Sequence, residues 1–200
     1  MGIDLKTVNS YLSISRQMRV SPMTMKEKIL EAAEKRVRGA GFAEMSFRDL
    51  AGDVGIKSAS VHYHFPTKPD LGEALVARYA DRFKAELEKI PTDNLQSALE
   101  AFVGLYAKAL VLGESICLCA VMGAEAIGLS ENINARTKAF FGMNKAWLET
   151  LLSRHGVENE RETAALIVAA LEGGMIVASA SKDRSIFDIV AKAALRGIAA

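Results

Sequence analysis

Cysteine and proline are scarce in this chain: two and four among 200 residues, beside a single tryptophan. Two cysteines cannot form the disulfide framework of a small secreted domain. They stand at Cys117 and Cys119. On a helix, residues two apart point about 200° apart around the axis, which disfavours a bridge between them. So few prolines leave room for long uninterrupted helices. No run alternates apolar and polar residues as a half-buried strand would. Net charge is only +1, so bulk charge does not announce a nucleic-acid partner. The first 20 residues are polar and lack the apolar core of a secretion signal. The most apolar window, Ala164 to Ala180, contains Glu172 and the Gly173-Gly174 pair. It reads as a buried helix rather than a membrane span. The expectation is a soluble, cytoplasmic protein with no membrane partner. No P-loop, no His-Glu-x-x-His metal set and no Gly-x-Ser-x-Gly elbow occurs, so no cofactor, metal or catalytic residue is assigned and the chain is not read as an enzyme.

Ala, Leu, Lys and Glu dominate instead, and all are good helix formers. The fold class is all-α. Thr24-Met-Lys-Glu27 is a capping box, opening a helix from about Met25 to Ala40 with Ile29, Leu30, Ala33 and Val37 inward and Gly41 at its end. Ser46-x-x-Asp49 is a weaker box. Thr67-x-x-Asp70, with Pro69 in the first turn, opens a helix running to about Lys89. Further helices are predicted at 94–112, 116–127, 131–154, 160–180 and 185–198, punctuated by Gly113, Gly128, Gly156 and Lys182-Asp-Arg184. This makes about nine helices: three in a head, one connector and five in a body. Residues 1–23 show no period and read as an arm. The domains expected are therefore the arm at 1–23, a head at 24–70 and a body at 71–200. Lys and Arg outnumber Asp and Glu by 11 to 8 in residues 1–70, and are outnumbered 14 to 16 in the rest. Phosphate binding would rest on local placement.

The most telling stretch runs from Ser46 to Phe65. Phe47, Leu50, Ala51 and Val54 are spaced as one face of a helix. Gly55 follows where the chain must turn. The next helix has only Val61 and Phe65 as large anchors, with Ser58, Ser60, His62, Tyr63 and His64 between or beside them. A core helix rarely carries so many small and hydrogen-bonding residues. A helix lying in a major groove needs slim residues for close approach and donors for phosphates and base edges. The pattern is helix-turn-helix.

From Thr24 to Leu71 the chain resembles the TetR family of bacterial transcriptional regulators. The residues that carry the resemblance are Ile29-Leu-Glu-Ala-Ala33, Gly39-Ala-Gly-Phe42, Arg48-Asp-Leu-Ala51, Val54-Gly-Ile56, His62-Tyr-His-Phe65, Lys68 and Leu71. The resemblance implies a homodimer with N-terminal DNA-binding heads and a C-terminal body that binds a ligand and alters head spacing. Three positions depart from the family pattern: Lys57 stands where Ser is usual, Ala59 where Gly is, and His62 where Tyr is. Ser58 is then the candidate cap of the recognition helix.

The expected DNA contacts are Ser46, Arg48, Lys57, Ser58, Ser60, His62, Tyr63, His64 and Lys68, reaching a palindromic operator in double-stranded DNA. A guanidinium at 48 can pair with guanine or bridge phosphates. Metal binding by His62 and His64 is disfavoured, because neighbours two apart on a helix diverge. For dimerisation, Ala165, Ala169 and Gly173 form a small-residue line, joined by Ile186, Phe187, Val190, Ala194 and Gly197, on the helices at about 160–180 and 185–198. Phe102, Tyr106, Met122, Glu125, Phe141, Trp147 and Met175 are candidate lining for a small-molecule effector pocket. Glu125 stands out, since a carboxylate in so apolar a segment needs a partner, by salt bridge or by ligand. Cys117 lies in a segment that resembles the thiol-bearing part of the family's electrophile-sensing branch. The leading expectation is a homodimeric repressor released by a ligand. Its rivals are a thiol sensor using Cys117, a helical enzyme using Glu125 and Glu172, and a DNA-organising protein whose body is closed and packed.

Overall fold

The computed structural model describes residues 23–113, 116–196 and 198. The expected arm, apart from Met23, and the dimer candidate Gly197 lie outside the described residues. Nine α-helices are found among the described residues, with no strand. They are α1 Met25–Ala40, α2 Phe47–Val54, α3 Ser58–His64, α4 Lys68–Leu87, α5 Leu95–Gly113, α6 Leu118–Ala124, α7 Glu131–Arg154, α8 Glu160–Ser181 and α9 Ser185–Leu195.

Local chemistry sets the helix starts. The Thr24 hydroxyl accepts from the Glu27 amide at 3.2 Å, and the Glu27 carboxylate accepts from the Thr24 amide at 2.7 Å. Both amides would otherwise lack an intrahelical partner. Thr67 and Asp70 make the same reciprocal pair at the start of α4. The Ser46 hydroxyl caps α2 by accepting from the Asp49 amide at 3.2 Å. Gly55, at φ 72°, ends α2 in the left-handed region that glycine enters without strain.

Two local expectations are corrected. Ser58 is not the cap of α3: Lys57 holds that position, without a side-chain bond, and Ser58 is the first helical residue. The reason lies in how α2 closes. The Ile56 amide donates to Ala51 O at 2.9 Å, and the Lys57 carbonyl then accepts the Ser60 amide at 2.9 Å. The predicted helix over 116–127 is instead α6 followed by a 3-10 turn at Ala126–Gly128. Glu125 leaves helical geometry between them, at φ −93° and ψ 7°.

The head is α1–α3, closed over Ile29, Ala33, Val37, Leu50, Val61 and Phe65, all buried. α4 leads from the head into the body, where it packs on α7. That approach is close at Gly72, where an added Cβ would lie 2.6 Å from Ile133 Cδ1 and 2.7 Å from Phe42 Cζ. Only a residue without a side chain lets Phe42, α4 and α7 meet there. α8 lies between α7 and α9.

Phe102, Tyr106, Met122 and Met175 are fully buried core residues rather than cavity lining. Phe102 stacks on Trp147 with centroids 5.3 Å apart, and Tyr106 meets Phe83 at 5.5 Å and Phe102 at 5.4 Å. Aromatic side chains bury large areas and pack best on each other's edges and offset faces. They close the space that the sequence alone left open. α8 is long and apolar enough to cross a membrane by length and composition. One side of it is packed within the body and carries Ile167, Leu171 and Met175.

Candidate nucleic-acid interface

α3 turns Val61 and Phe65 into the head and leaves the rest of its surface outward. Tyr63 is 83 % exposed, far more than a phenol ring placed for packing. Lys57 and Arg48 are also exposed. Ser58, Ser60 and His64 are half-buried. These groups offer a phenol, an ammonium, a guanidinium and hydroxyls on the two helices of the helix-turn-helix. Such donors suit phosphate oxygens and base edges.

The other candidates have partners within the head. Ser46 is used as a cap, and its hydroxyl also donates to Asp49 Oδ2 at 2.6 Å. The His62 ring meets the Phe47 ring edge-on, and its Nδ1 lies 3.3 Å from Pro66 O. Lys68 Nζ donates to Ala43 O at 2.8 Å and sits 5.0 Å from the centre of the Phe42 ring. Arg36 of α1 and Asp53 of α2 form a two-point ion pair, which holds Asp53 below the usual carboxylate range. Among the described residues, no group of three His, Cys, Asp or Glu side chains could hold a metal ion.

Head and body are joined through charged side chains that sequence reasoning did not pair. Arg38 Nε donates to Ile116 O at 2.8 Å and Nη2 to Ala109 O at 2.9 Å. Glu34 is buried under α4, with Arg82 Nη2 2.6 Å away and Arg78 Nη1 at 3.6 Å. Glu125 is bonded to the head. It accepts from the Phe42 amide at 2.8 Å and from the Ala43 amide at 2.8 Å. Its need for a partner was legible; the partner, 82 or 83 residues earlier, was not.

In the body, two open grooves divide the remaining pocket candidates. One, of about 360 Å³, is lined by Trp147 with Thr92, Thr150 and Arg154; the other, of about 530 Å³, by Phe141 with Asn134, Lys138 and Lys145. Deeper lies a polar cluster. The Tyr79 hydroxyl donates to Cys117 Sγ at 3.5 Å, and Cys117 is 1 % exposed. Burial works to raise this thiol, but hydrogen bonds from Cys119, Tyr79 and the Ala120 amide bring it down to about 6. Burial and the adjacent sulfur push Glu172 up to about 10. Its two oxygens and the Tyr106 hydroxyl have no hydrogen-bond partner among the described residues. Glu125 and Glu172 thus serve different surroundings, one the head and the other the core.

The small-residue line of α8 is outward: Ala165 and Ala169 are exposed and Gly173 half-buried. Leu166, Ile176 and Val177 of α8 and Ile189 of α9 are large exposed apolar groups beside it. Phe187 is withdrawn from that face. It is buried, and with Val190 it packs on Gly174 of its own chain, where an added Cβ would lie 3.2 Å from Val190 Cγ1.

A helix-turn-helix head joined by a long helix to an all-helical body defines a DNA-binding transcriptional regulator. Residues 29–75 match the sequence profile described as bacterial regulatory proteins, tetR family. Residues 96–193 match that of the transcriptional regulator LmrA/YxaF-like C-terminal domain. The chain belongs to the TetR family of bacterial transcriptional regulators. It is similar to a TetR transcriptional regulator from Legionella pneumophila of known crystal structure, with 29 % identity and a TM-score of 0.80, over 88 % of this chain and 97 % of that one. It is 21 % identical over 156 residues to the nucleoid occlusion factor SlmA of Colwellia psychrerythraea, covering 74 % of this chain and 79 % of that protein. It is 27 % identical over 85 residues to the HTH-type transcriptional repressor KstR2 of Mycolicibacterium smegmatis, covering 42 % of this chain and 41 % of that protein.

Proposed function

We propose that this regulator is a cytoplasmic homodimeric repressor whose head, residues 24–70, binds a two-fold-symmetric operator and whose body, residues 71–200, dimerises and receives a small-molecule effector. The observation that carries the reading is the outward face of α3, where Tyr63 is 83 % exposed while Val61 and Phe65 anchor the helix from behind. Such a face has donors and no packing role. Tyr63 on that face, Lys57 at its start and Arg48 on the neighbouring α2 are the leading contacts, and Ser58, Ser60 and His64 flank them. A dimer would present two such helices to successive major grooves, ~34 Å apart or slightly more. The α8–α9 face supports the dimer, since it leaves large apolar groups beside a line of small ones. An effector would act by preferring a head spacing that misfits DNA; a tenfold loss of operator affinity requires about 1.4 kcal/mol of such preference.

A second reading is DNA organisation without effector control. It is favoured by the aromatic packing that fills the body and by the likeness to a nucleoid occlusion factor. Genome-wide mapping of bound sites in the native host separates the two. A few palindromic sites overlapping promoters, with neighbouring transcripts rising on deletion of the protein, are expected for the repressor. Many dispersed sites with unchanged neighbouring transcripts would favour the organiser, and absence of any specific site would defeat both.

A further inference from the structure

The turn between α1 and α2 is gripped from two sides. On the body side, Glu125 Oε1 accepts from the Phe42 amide and Oε2 from the Ala43 amide, each at 2.8 Å. On the other side, the Ala43 carbonyl accepts from Lys68 Nζ at 2.8 Å. Lys68 is the first residue of α4, shortly after the recognition helix ends. Gly41 makes the grip possible. It stands at φ +95°, and an added Cβ would come 2.6 Å from Glu125 Oε1. Phe42, whose amide is held, is itself wedged against Gly72 of α4, near Ile133 of α7.

The carboxylate sits at the C-terminal end of α6. At the other end of that short helix, Arg38 of α1 holds the carbonyls of Ile116 and Ala109. α6 is thus flanked by two residues bonded to the head, Ile116 before it and Glu125 after it. Only a carboxylate offers an acceptor at each of its two terminal atoms. Hydrogen bonds with one ionised partner are the stronger kind.

We propose that Glu125 is a positioning residue: it transmits the placement of α6 in the body to the orientation of the recognition helix, through the Phe42 and Ala43 amides and Lys68. This deepens the two-fold operator reading and rests on it. Glu125 touches no DNA in this arrangement. Its removal would leave the contact face intact and loosen the angle at which each head is held.

The test separates contact from orientation. A two-fold site is selected from a random DNA pool with the wild-type dimer. It is then remade with its centre lengthened or shortened by one or two base pairs, and also as a single half-site. Wild type should lose about tenfold or more in affinity on the altered spacings, since half-site spacing is a geometric match to the dimer. Glu125→Gln and Glu125→Ala should bind the single half-site within about twofold of wild type, yet lose less than about threefold on altered spacings. Gly41→Ala, which displaces Oε1, should share that relaxed profile. Retention of the wild-type spacing penalty in both Glu125 variants would overturn the proposal, whatever their melting temperatures. So would an equal loss on half-site and full site, which marks a damaged head. Failure of the wild type to select any two-fold site would overturn the operator reading first, and the positioning role with it.

Discussion

The His62 imidazole lies edge-on to the Phe47 ring, with centroids 4.7 Å apart and planes 62° apart. The contact spans the two helices of the helix-turn-helix, joining the first residue of α2 to the last turn of α3. His62 therefore braces the angle between them, whereas its neighbour Tyr63 points to solvent. Removing the brace should cost about 0.5–1.5 kcal/mol of stability, the usual worth of an aromatic pair beyond its buried area. His62→Ala should lower the urea midpoint, and Phe47→Leu should do so without an additional loss when the two are combined. Additive losses in that double-mutant cycle would show that the rings do not interact.

Arg48→Ala and Tyr63→Ala should behave in the opposite way. Each should weaken DNA binding by about 1–3 kcal/mol and leave the urea midpoint unchanged. Phosphate contacts reveal themselves by salt dependence, so a variant that loses one should show a shallower slope of affinity against salt. Unchanged affinity and slope in both would remove these residues from the contact set.

The outward face of α8 and α9 supports a prediction on assembly. Leu166 of α8 is 62 % exposed and Ile189 of α9 65 %, and Ala165 and Ala169 of α8 are exposed as well. If a second copy covers them, Ala169→Glu places an unpaired charge in a dry contact, at a cost of about 3–5 kcal/mol. The variant should sediment as a monomer and lose two-fold operator binding, while Ala139→Glu, at an exposed position on α7, should do neither. A dimeric Ala169→Glu protein would place the interface elsewhere.

Glu172 should make the protein less stable as pH rises. Its carboxyl is pushed up to about 10 in the folded chain by burial and by the Cys117 sulfur, against about 4.3 when unfolded. Between those values the folded state keeps a proton that the unfolded state has lost. The contribution is therefore fully present below the unfolded value and is lost as pH rises towards the folded one. The slope for one such group is at most about 1.4 kcal/mol per pH unit. The Cys117 thiol, brought down to about 6, contributes with the opposite sign between about pH 6 and 8.5, so the two largely offset each other there in wild type. Urea unfolding across about pH 5 to 9 should therefore show wild type losing stability with rising pH relative to Glu172→Gln. Parallel curves would mean the carboxyl is ionised or solvated in the folded protein.

Cys117 combines a thiol brought down to about 6 with burial at 1 % exposure. Its chemistry favours the thiolate, and its placement denies access. Alkylation of the native protein should therefore be about a hundredfold slower than of the urea-unfolded chain, and limited by local opening. If a Michael acceptor releases DNA from wild type but not from Cys117→Ser, the thiol reading displaces the effector reading. Release by a reversible ligand in both proteins supports the pocket.

Helices and their ends were largely legible in the sequence, because the signals are local. Thr24 with Glu27 and Thr67 with Asp70 lie three residues apart and close on themselves wherever the chain goes. Val61 and Phe65, four apart, declare the buried side of α3 and, by elimination, its outward side. What could not be read were relationships between residues distant along the chain. The apolar segment around Glu125 calls for a partner, by salt bridge or by ligand; the partners found are amides brought to it by the packing of α6 on α1. Phe102, Tyr106 and Met175 looked like cavity lining because composition does not say whether apolar groups enclose space or fill it. Only the relative placement of α4, α5, α7 and α8 turns them into stacked core. Phe187 likewise chose its own α8 over a second copy because Gly174 leaves room for it there. Periodicity fixes which side of a helix is apolar, and tertiary packing decides what that side meets.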